Sequence, residues 1–469
     1  MFRRGSSETI QILSESINVN TRLGDRSGRC YTSGISSTNL TADSRIFALA
    51  AELESARAYT DTLVEPIADA DLMRQFTRLQ SPLAWDLAHI AHYEDLWLVR
   101  AVTGVGGTDV CVDDVYDAFA HERSERAELE LLDPPAAREF RSSVRARALA
   151  NLERLGEATD PRLAEDDFVV GLVVQHELQH AETMCQTLQA VQSFAYPFTD
   201  TPIGSPSVSG GEVLVPAGTF TMGTSSEPWA YDNERELHVV ELPPFWIDVV
   251  AVTNAEYASF VTDGGYGNRA HWSDSGWAWL LEERAEAPLN WTRDGDGFRR
   301  RRFGRLEPVP SSEPVQHVSF HEAEAYASWA GRRLPSEQEW EKAATWTPDG
   351  RKRATPWGDG PHAGRANTGR RRFSPAPTGS YPAGASPWGC LGMIGDVWEW
   401  TSSCFVGYPG FAAFPYREYS EVFFGEEYRV LRGGSWATHP LIARPTFRNW
   451  DLPQRRQIFS GFRTARDAS

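Results

Sequence analysis

GLVVQHELQHAETMCQTLQ, residues 171–189, decides how the rest of the chain is read. The segment has helical spacing and sets His176 and His180 four residues apart. At about 3.6 residues per turn, positions i and i+4 share a face, one turn apart. Two imidazoles so placed can grip one metal ion when a third ligand arrives from elsewhere. Gln179 is three residues from His176 and borders the same face, where it could touch a substrate. Glu182 lies two residues past His180, about 200° around the helix, a poor position for a ligand.

The same residues spell His-Glu-x-x-His through Glu177, the zinc-peptidase pattern. Three fixed positions in five make a weak signal, and the surroundings read as helices rather than as a peptidase domain.

Upstream, the chain from about 44 to 195 reads as four amphipathic helices. Ile46 to Leu63 has apolar residues at three-and-four spacing. SPLAWDLAHIAHYEDLWLVRAV, from residue 81, opens a second helix with Pro82 at the favoured first position. A third runs from about Pro135 to Gly156 and a fourth from about Leu163 to Ser193. Such a bundle commonly projects metal ligands inward from facing helices. His89, with apolar Leu87, Ile90 and Ala91 around it, is the best third ligand, ahead of His92. In the long loop near 103–133, Arg123 and Arg126 stand three apart. From composition alone they read as a solvated charged turn. The alternative is a clamp for carboxylates, which guanidinium binds bidentately.

At 469 residues the chain can form two or three domains, each with a core. Its net charge of −18 argues against a nucleic-acid or anionic-membrane surface. The five cysteines, Cys30, Cys111, Cys185, Cys390 and Cys404, are scattered without a C-x-x-C pair, as expected in a reducing cytoplasm. No apolar run approaches the ~20 residues of a membrane span. Arg3-Arg4 leads into no hydrophobic signal core. Residues 1–43, rich in Ser, Thr, Asn and Gly, are expected to be a disordered extension.

Tyr196 to Gly211 carries Pro, Gly, Ser and Thr and reads as a linker, 196–211. Beyond it, from 212 to 469, come short strand-like runs, many Gly and Pro turns, and helices at Thr253–Thr262, His321–Ala330 and Ser336–Thr345. Asn254 and Ser336 sit where helix caps belong. Most of the 17 Trp lie in this α+β half.

Five stretches of that half resemble the formylglycine-generating-enzyme (sulfatase-modifying factor) family, which implies a C-type-lectin-like fold. They are VPAGTFTMG at 215–223, PVQHVSFHEAEAYASWAGRRLPSEQEWEKAA at 314–344, GDVWEWTSS at 395–403, RVLRGGSW at 429–436 and GFRTAR at 461–466. SPLAWDLAHI at 81–90 and HELQHAET at 176–183 look like a DinB-type four-helix bundle. Together the halves resemble the sulfoxide synthases of ergothioneine biosynthesis. That resemblance implies a cytoplasmic oxidoreductase joining the sulfur of γ-glutamylcysteine to the imidazole of hercynine, with Fe(II) as cofactor and O2 as co-substrate.

Carried over residue by residue, the iron ligands fall on His89, His176 and His180. The sulfur-substrate clamp falls on Arg123 and Arg126, which reverses the reading from composition. Gln179, Asn449 and Trp450 fall toward hercynine, and Asp451 toward the amino end of the sulfur substrate. Tyr416 falls at the proton donor with Tyr419 beside it, and Tyr408 is the alternative. The paired arginines favour γ-glutamylcysteine over free cysteine as donor. The lectin-like half also leaves room for calcium. Segment 437–448 holds no Cys, so the cysteine-pair chemistry of true formylglycine generators is not expected.

Overall fold

The computed structural model describes residues 42–105, 110–204, 208 and 210–468. The predicted extension lies outside the described residues up to position 41; Ala42 and Asp43 already belong to the first helix. As the composition change predicts, an all-α part precedes an α+β part.

The all-α part has four principal helices: α1 (Ala42–Val64), α2 (Leu83–Glu94), α3 (Pro134–Asn151) and α4 (Phe168–Ala190). Helix α4 packs on α1 and α2, and α3 packs on α2. Asp133 caps α3 by accepting from the Ala136 N–H, and the prolines that follow lack the N–H that a first turn leaves unpaired. Helix α2 does not stop at Glu94 but widens into a π-helical turn over Asp95–Arg100. Inside the bundle, Glu94 and Glu177 meet Arg57 and Arg145 in a buried network.

The α+β part carries small sheets. Strands β1 (Glu212–Val215) and β4 (Phe245–Asp248) pair antiparallel, and β12 (Ala465–Asp467) closes on the other side of β4. A second sheet has β8 (Trp398–Cys404) and β9 (Arg429–Arg432) at its centre, with β10 (Asn449–Asp451) and β11 (Ser460–Gly461) at its edges. Strand pairs β2 (Gly218–Met222) with β3 (His238–Leu242), and β5 (Trp291–Asp294), β6 (Gly297–Arg302) and β7 (Arg305–Pro308), complete it.

Helices α5 (Asn254–Thr262), α7 (Phe320–Trp329) and α8 (Glu337–Thr345) lie where the sequence predicts them. Ser336 caps α8 as expected, but α5 is capped by Thr253 rather than Asn254. Thr253 and Glu256 form a reciprocal box, whereas the Asn254 amide donates to the Pro310 carbonyl. A further helix, α6 (Asp274–Glu283), was not expected from the sequence.

The two parts share their apolar interior. One buried cluster joins Leu53, Val173 and Leu178 to Tyr231, Trp398 and Phe447, and another joins Met184 and Leu188 to Phe303, Trp436 and Phe459. The Gly171 backbone lies so close to the Trp229 indole that a Cβ there would overlap the ring. The described part of segment 196–211 is not a free spacer. Tyr196 is buried and donates to the Leu63 carbonyl at 2.9 Å, and Phe198 packs with Phe303 and Phe373. Its aromatic residues bind the segment down.

Candidate metal centre and the cleft around it

His176 and His180 project from one face of α4, and His89 meets them from α2. Each offers one ring nitrogen, and the three atoms lie within 4.8 Å of one another. The His89 Nδ1–H donates to the Tyr116 carbonyl at 2.7 Å, and the His180 Nδ1 lies 3.0 Å from Asp86 Oδ1. These outward bonds fix each ring and leave its Nε2 lone pair for the centre, the usual arrangement behind a metal-bound histidine. The Nδ1 of His176 is buried and has no hydrogen-bond partner among the described residues. Burial, reinforced by the neighbouring His180, holds His89 and His176 well below the ordinary imidazole value. Both are therefore neutral and able to donate electrons. Three converging imidazoles, two of them held neutral by burial, fit a divalent transition metal.

Aromatic rings wall the cluster. Trp85 stacks on His89 at 4.5 Å between centroids, and Tyr93 lies flat on His176 at 3.6 Å. His92, the other candidate ligand, turns away to Asp113 at 3.1 Å. Glu182 also points away, as its position on the helix predicts; it accepts from Trp398, Ser435 and Thr438 of the α+β half. Glu177 faces the buried arginines Arg57 and Arg145 at 2.8 and 3.1 Å, not the cluster. The peptidase reading requires Glu177 as base at the metal and fails on this orientation.

The α+β half closes over the same face. Gln179 donates through Nε2 to the Tyr419 hydroxyl at 3.2 Å and accepts from the Tyr231 hydroxyl at 3.1 Å. Tyr231 and Tyr419 stack at 4.1 Å. The Tyr416 and Tyr93 hydroxyls lie 3.1 Å apart. Burial raises the pKa of both Tyr416 and Tyr419, so each keeps its proton. Tyr408 is elsewhere: it packs with Phe220 and Met222, and its hydroxyl accepts from Arg432 at 3.3 Å.

Asn449, Trp450 and Asp451 form the edge strand β10, whose alternation puts Asn449 and Asp451 on one face and Trp450 on the other. Trp450 stacks on Phe405 at 4.2 Å and meets the Tyr419 ring edge-on. Burial raises the Asp451 pKa, opposed first by Arg455, then by the Leu452 N–H, and least by Arg123. The paired arginines differ sharply. Arg123 is exposed, with one long contact, 3.5 Å, to the Leu79 carbonyl. Arg126 is 5% exposed. Its nitrogens donate to the Ser81 hydroxyl and the Ala118 and His121 carbonyls, and its guanidinium lies 3.6 Å over Trp85.

The sequence reading missed Asp86, Tyr93 and Tyr231. Two had a signal: Asp86 is three residues before His89 and Tyr93 four after it, both on the same stretch of helix. Tyr231 comes from a loop and had none.

Among the described residues, the three histidines are the one grouping of three or more His, Cys, Asp or Glu side chains close enough to share an ion. Calcium in the α+β half therefore gains no carboxylate cluster in its support. Among the described residues, no helix is long and apolar enough to cross a membrane.

Comparison with known proteins adds the following. Residues 203–468 match the sulfatase-modifying factor enzyme 1-like domain, and residues 52–184 match the DinB superfamily. A hercynine oxygenase of Mycolicibacterium thermoresistibile is 50% identical over 431 residues, covering 89% of this chain and 94% of that protein. One from Mycolicibacterium smegmatis is 51% identical over 433 residues, covering 89% of this chain and 98% of that protein. A formylglycine-generating enzyme of Streptomyces coelicolor is 36% identical over 298 residues, covering 57% of this chain and 92% of that protein.

Proposed function

This chain belongs to the hercynine oxygenase family of oxidoreductases, and we propose that it is an iron(II)- and O2-dependent sulfoxide synthase. Its substrates are hercynine and γ-glutamylcysteine, and its product is γ-glutamyl-hercynylcysteine sulfoxide. His89, His176 and His180 hold the iron. When bound, the iron supplies the redox chemistry that couples dioxygen to sulfur oxidation, which no side chain here can provide.

The remaining work falls to the chain's own groups. Three imidazole ligands, which bring no negative charge, leave the metal's positive charge uncompensated, which favours a thiolate beside it. Hercynine is a fixed trimethylammonium cation, which the indole of Trp450 suits, while the Asn449 amide, on the other face of β10, offers a separate polar contact. Gln179, already oriented by Tyr231 and Tyr419, offers its amide to the same substrate. Exposed Arg123 meets a carboxylate of the sulfur substrate, and Asp451 its ammonium end. Arg126 shapes the loop that presents Arg123, through three of its five N–H donors, which bond to Ser81, Ala118 and His121. The Tyr416 phenol, kept protonated by burial, delivers a proton at its hydroxyl oxygen.

The observation that supports this most is the closure of Gln179, Tyr416 and Tyr419 over the three-histidine face, since it joins both halves at one spot. The test is to load the purified chain with ferrous iron and supply hercynine with γ-glutamylcysteine, or with free cysteine, under air. Sulfoxide product detected by mass spectrometry, with the γ-glutamyl donor preferred, is the expected result. No sulfoxide from a metal-loaded sample, beside a working control, would reject the proposal. A preference for cysteine would reject the donor.

A further inference from the structure

Tyr93 lies one helical turn beyond His89 on α2 and is 7% exposed. Its ring is parallel to that of His176, with planes 9° apart and centroids 3.6 Å apart. Its hydroxyl meets that of Tyr416 at 3.1 Å. Trp97, in the π-helical turn that follows, stacks on the Tyr416 ring at 5.5 Å and 25°. A single helix of the bundle thus grips Tyr416 at ring and hydroxyl while covering one of the clustered histidines.

Tyr416 needs such a grip. It belongs to no regular strand or long helix; it precedes the short 3-10 turn Arg417–Tyr419 in a stretch of irregular chain. A side chain on such a loop has freedom that must be removed before its hydroxyl can act at a fixed point. The hydrogen-bond direction matters too. A phenol that donates to Tyr93 turns its proton away from the cleft. A phenol that accepts from Tyr93 keeps its own proton free.

We propose that Tyr93 is a positioning residue for the reaction: its hydroxyl donates to Tyr416 and so aims the Tyr416 proton into the cleft. This rests on the role given to Tyr416 above. The alternative is that Tyr93 is only a well-packed core ring touching His176. The two differ in what they couple. A core ring acts on folding and on the metal whether or not Tyr416 has a hydroxyl. A positioning hydroxyl acts only through Tyr416.

The experiment is a double-mutant cycle in the full-length, iron-loaded chain: wild type, Tyr93→Phe, Tyr416→Phe and the double variant. Parallel samples are loaded with cobalt(II), whose visible spectrum reports the metal's surroundings. Tyr93→Phe keeps the ring on His176 and removes only the hydroxyl. It is expected to lower kcat about 10-fold or more, within the range a lost proton donor produces. KM for both substrates should stay within about twofold, with an unchanged cobalt spectrum. The double variant should be no slower than Tyr416→Phe alone. An undiminished kcat in Tyr93→Phe, additive losses in the double variant, or a changed cobalt spectrum in Tyr93→Phe would each overturn the inference. If Tyr416→Phe itself keeps the wild-type kcat, the role of Tyr416 fails first and this inference fails with it.

Discussion

The Glu182 carboxylate, on the helix that carries His176 and His180, accepts a 2.8 Å hydrogen bond from the Trp398 indole on the far side of the boundary between the halves. Ser435 and Thr438 donate to the same carboxylate at 2.6 Å each. Glu182→Ala would leave three buried donors without an acceptor, each worth roughly 1–3 kcal/mol. Urea unfolding should show a loss of at least about 3 kcal/mol, and Glu182→Gln a smaller one. A loss below about 1 kcal/mol for the alanine variant would mean that the contact does not bind the halves together.

Glu177 has a structural task. Arg57 and Arg145 contact it directly, and both also contact Glu94. Removing one partner from a buried ionic group costs roughly 3–5 kcal/mol. Glu177→Gln should lower the melting temperature clearly, while the protein that stays folded retains most of its sulfoxide-forming activity. A stable but inactive variant would return Glu177 to the chemistry.

Arg123 and Arg126 should separate on mutation. Arg126→Ala removes three internal hydrogen bonds and the stack on Trp85, and should destabilise by about 3 kcal/mol. Arg123→Ala should change stability by less than ~0.5 kcal/mol. Its effect is expected in KM for the sulfur substrate, about 10-fold upward, the size of one lost charged contact. Calorimetry beside steady-state kinetics checks both, and a stability loss in Arg123→Ala with unchanged KM would contradict the assignment.

Asp396 carries a pH signature. Burial pushes its carboxyl up to about 6, although Oδ1 accepts from Asn367 and the Ala376 N–H at 2.8 Å each. The folded value lies above the unfolded one of ~4, so folding favours the protonated form. The stability this contributes is complete below about pH 4 and is lost as pH rises through 6. Asp396→Asn keeps an acceptor and tolerates the left-handed backbone at this position, φ 61°. Its stability relative to wild type should therefore rise between pH 4 and 6 and level off above, by up to about 3 kcal/mol. Melting curves across that range test it; a pH-independent difference would show that Asp396 ionises normally.

The sequence made the ligand-bearing faces legible. Four-residue spacing on α4 puts His176 and His180 on one face, because helical geometry converts spacing into direction, and the apolar setting of His89 marked it ahead of His92 as the third imidazole. Arg126 was less legible. It is not in solvent, as composition suggested, but buried over Trp85 with three of its five N–H donors engaged. Its burial depends on Ser81, Ala118 and His121, which only the folded loop gathers. Tyr231 was invisible for a similar reason: its meeting with Gln179 spans 52 residues and two folding units. Helix α6 was hidden because its run, DSGWAWLLEE, mixes Gly with bulky Trp and presents no clean stripe.

Helix α4 has no exposed residue anywhere along Phe168–Ala190. One side holds the histidines, another meets Arg57 and Arg145, a third reaches Trp398, and Gly171 lies against Trp229. Most surface helices keep one permissive flank on which substitutions drift freely. This one has none, so random mutagenesis across it should return an almost unbroken block of intolerant positions. Either half grafted onto a foreign partner would bring the helix with only part of its surroundings. The centre is thus inherited as an indivisible whole, and new substrate preferences would have to arise in the loops that face it.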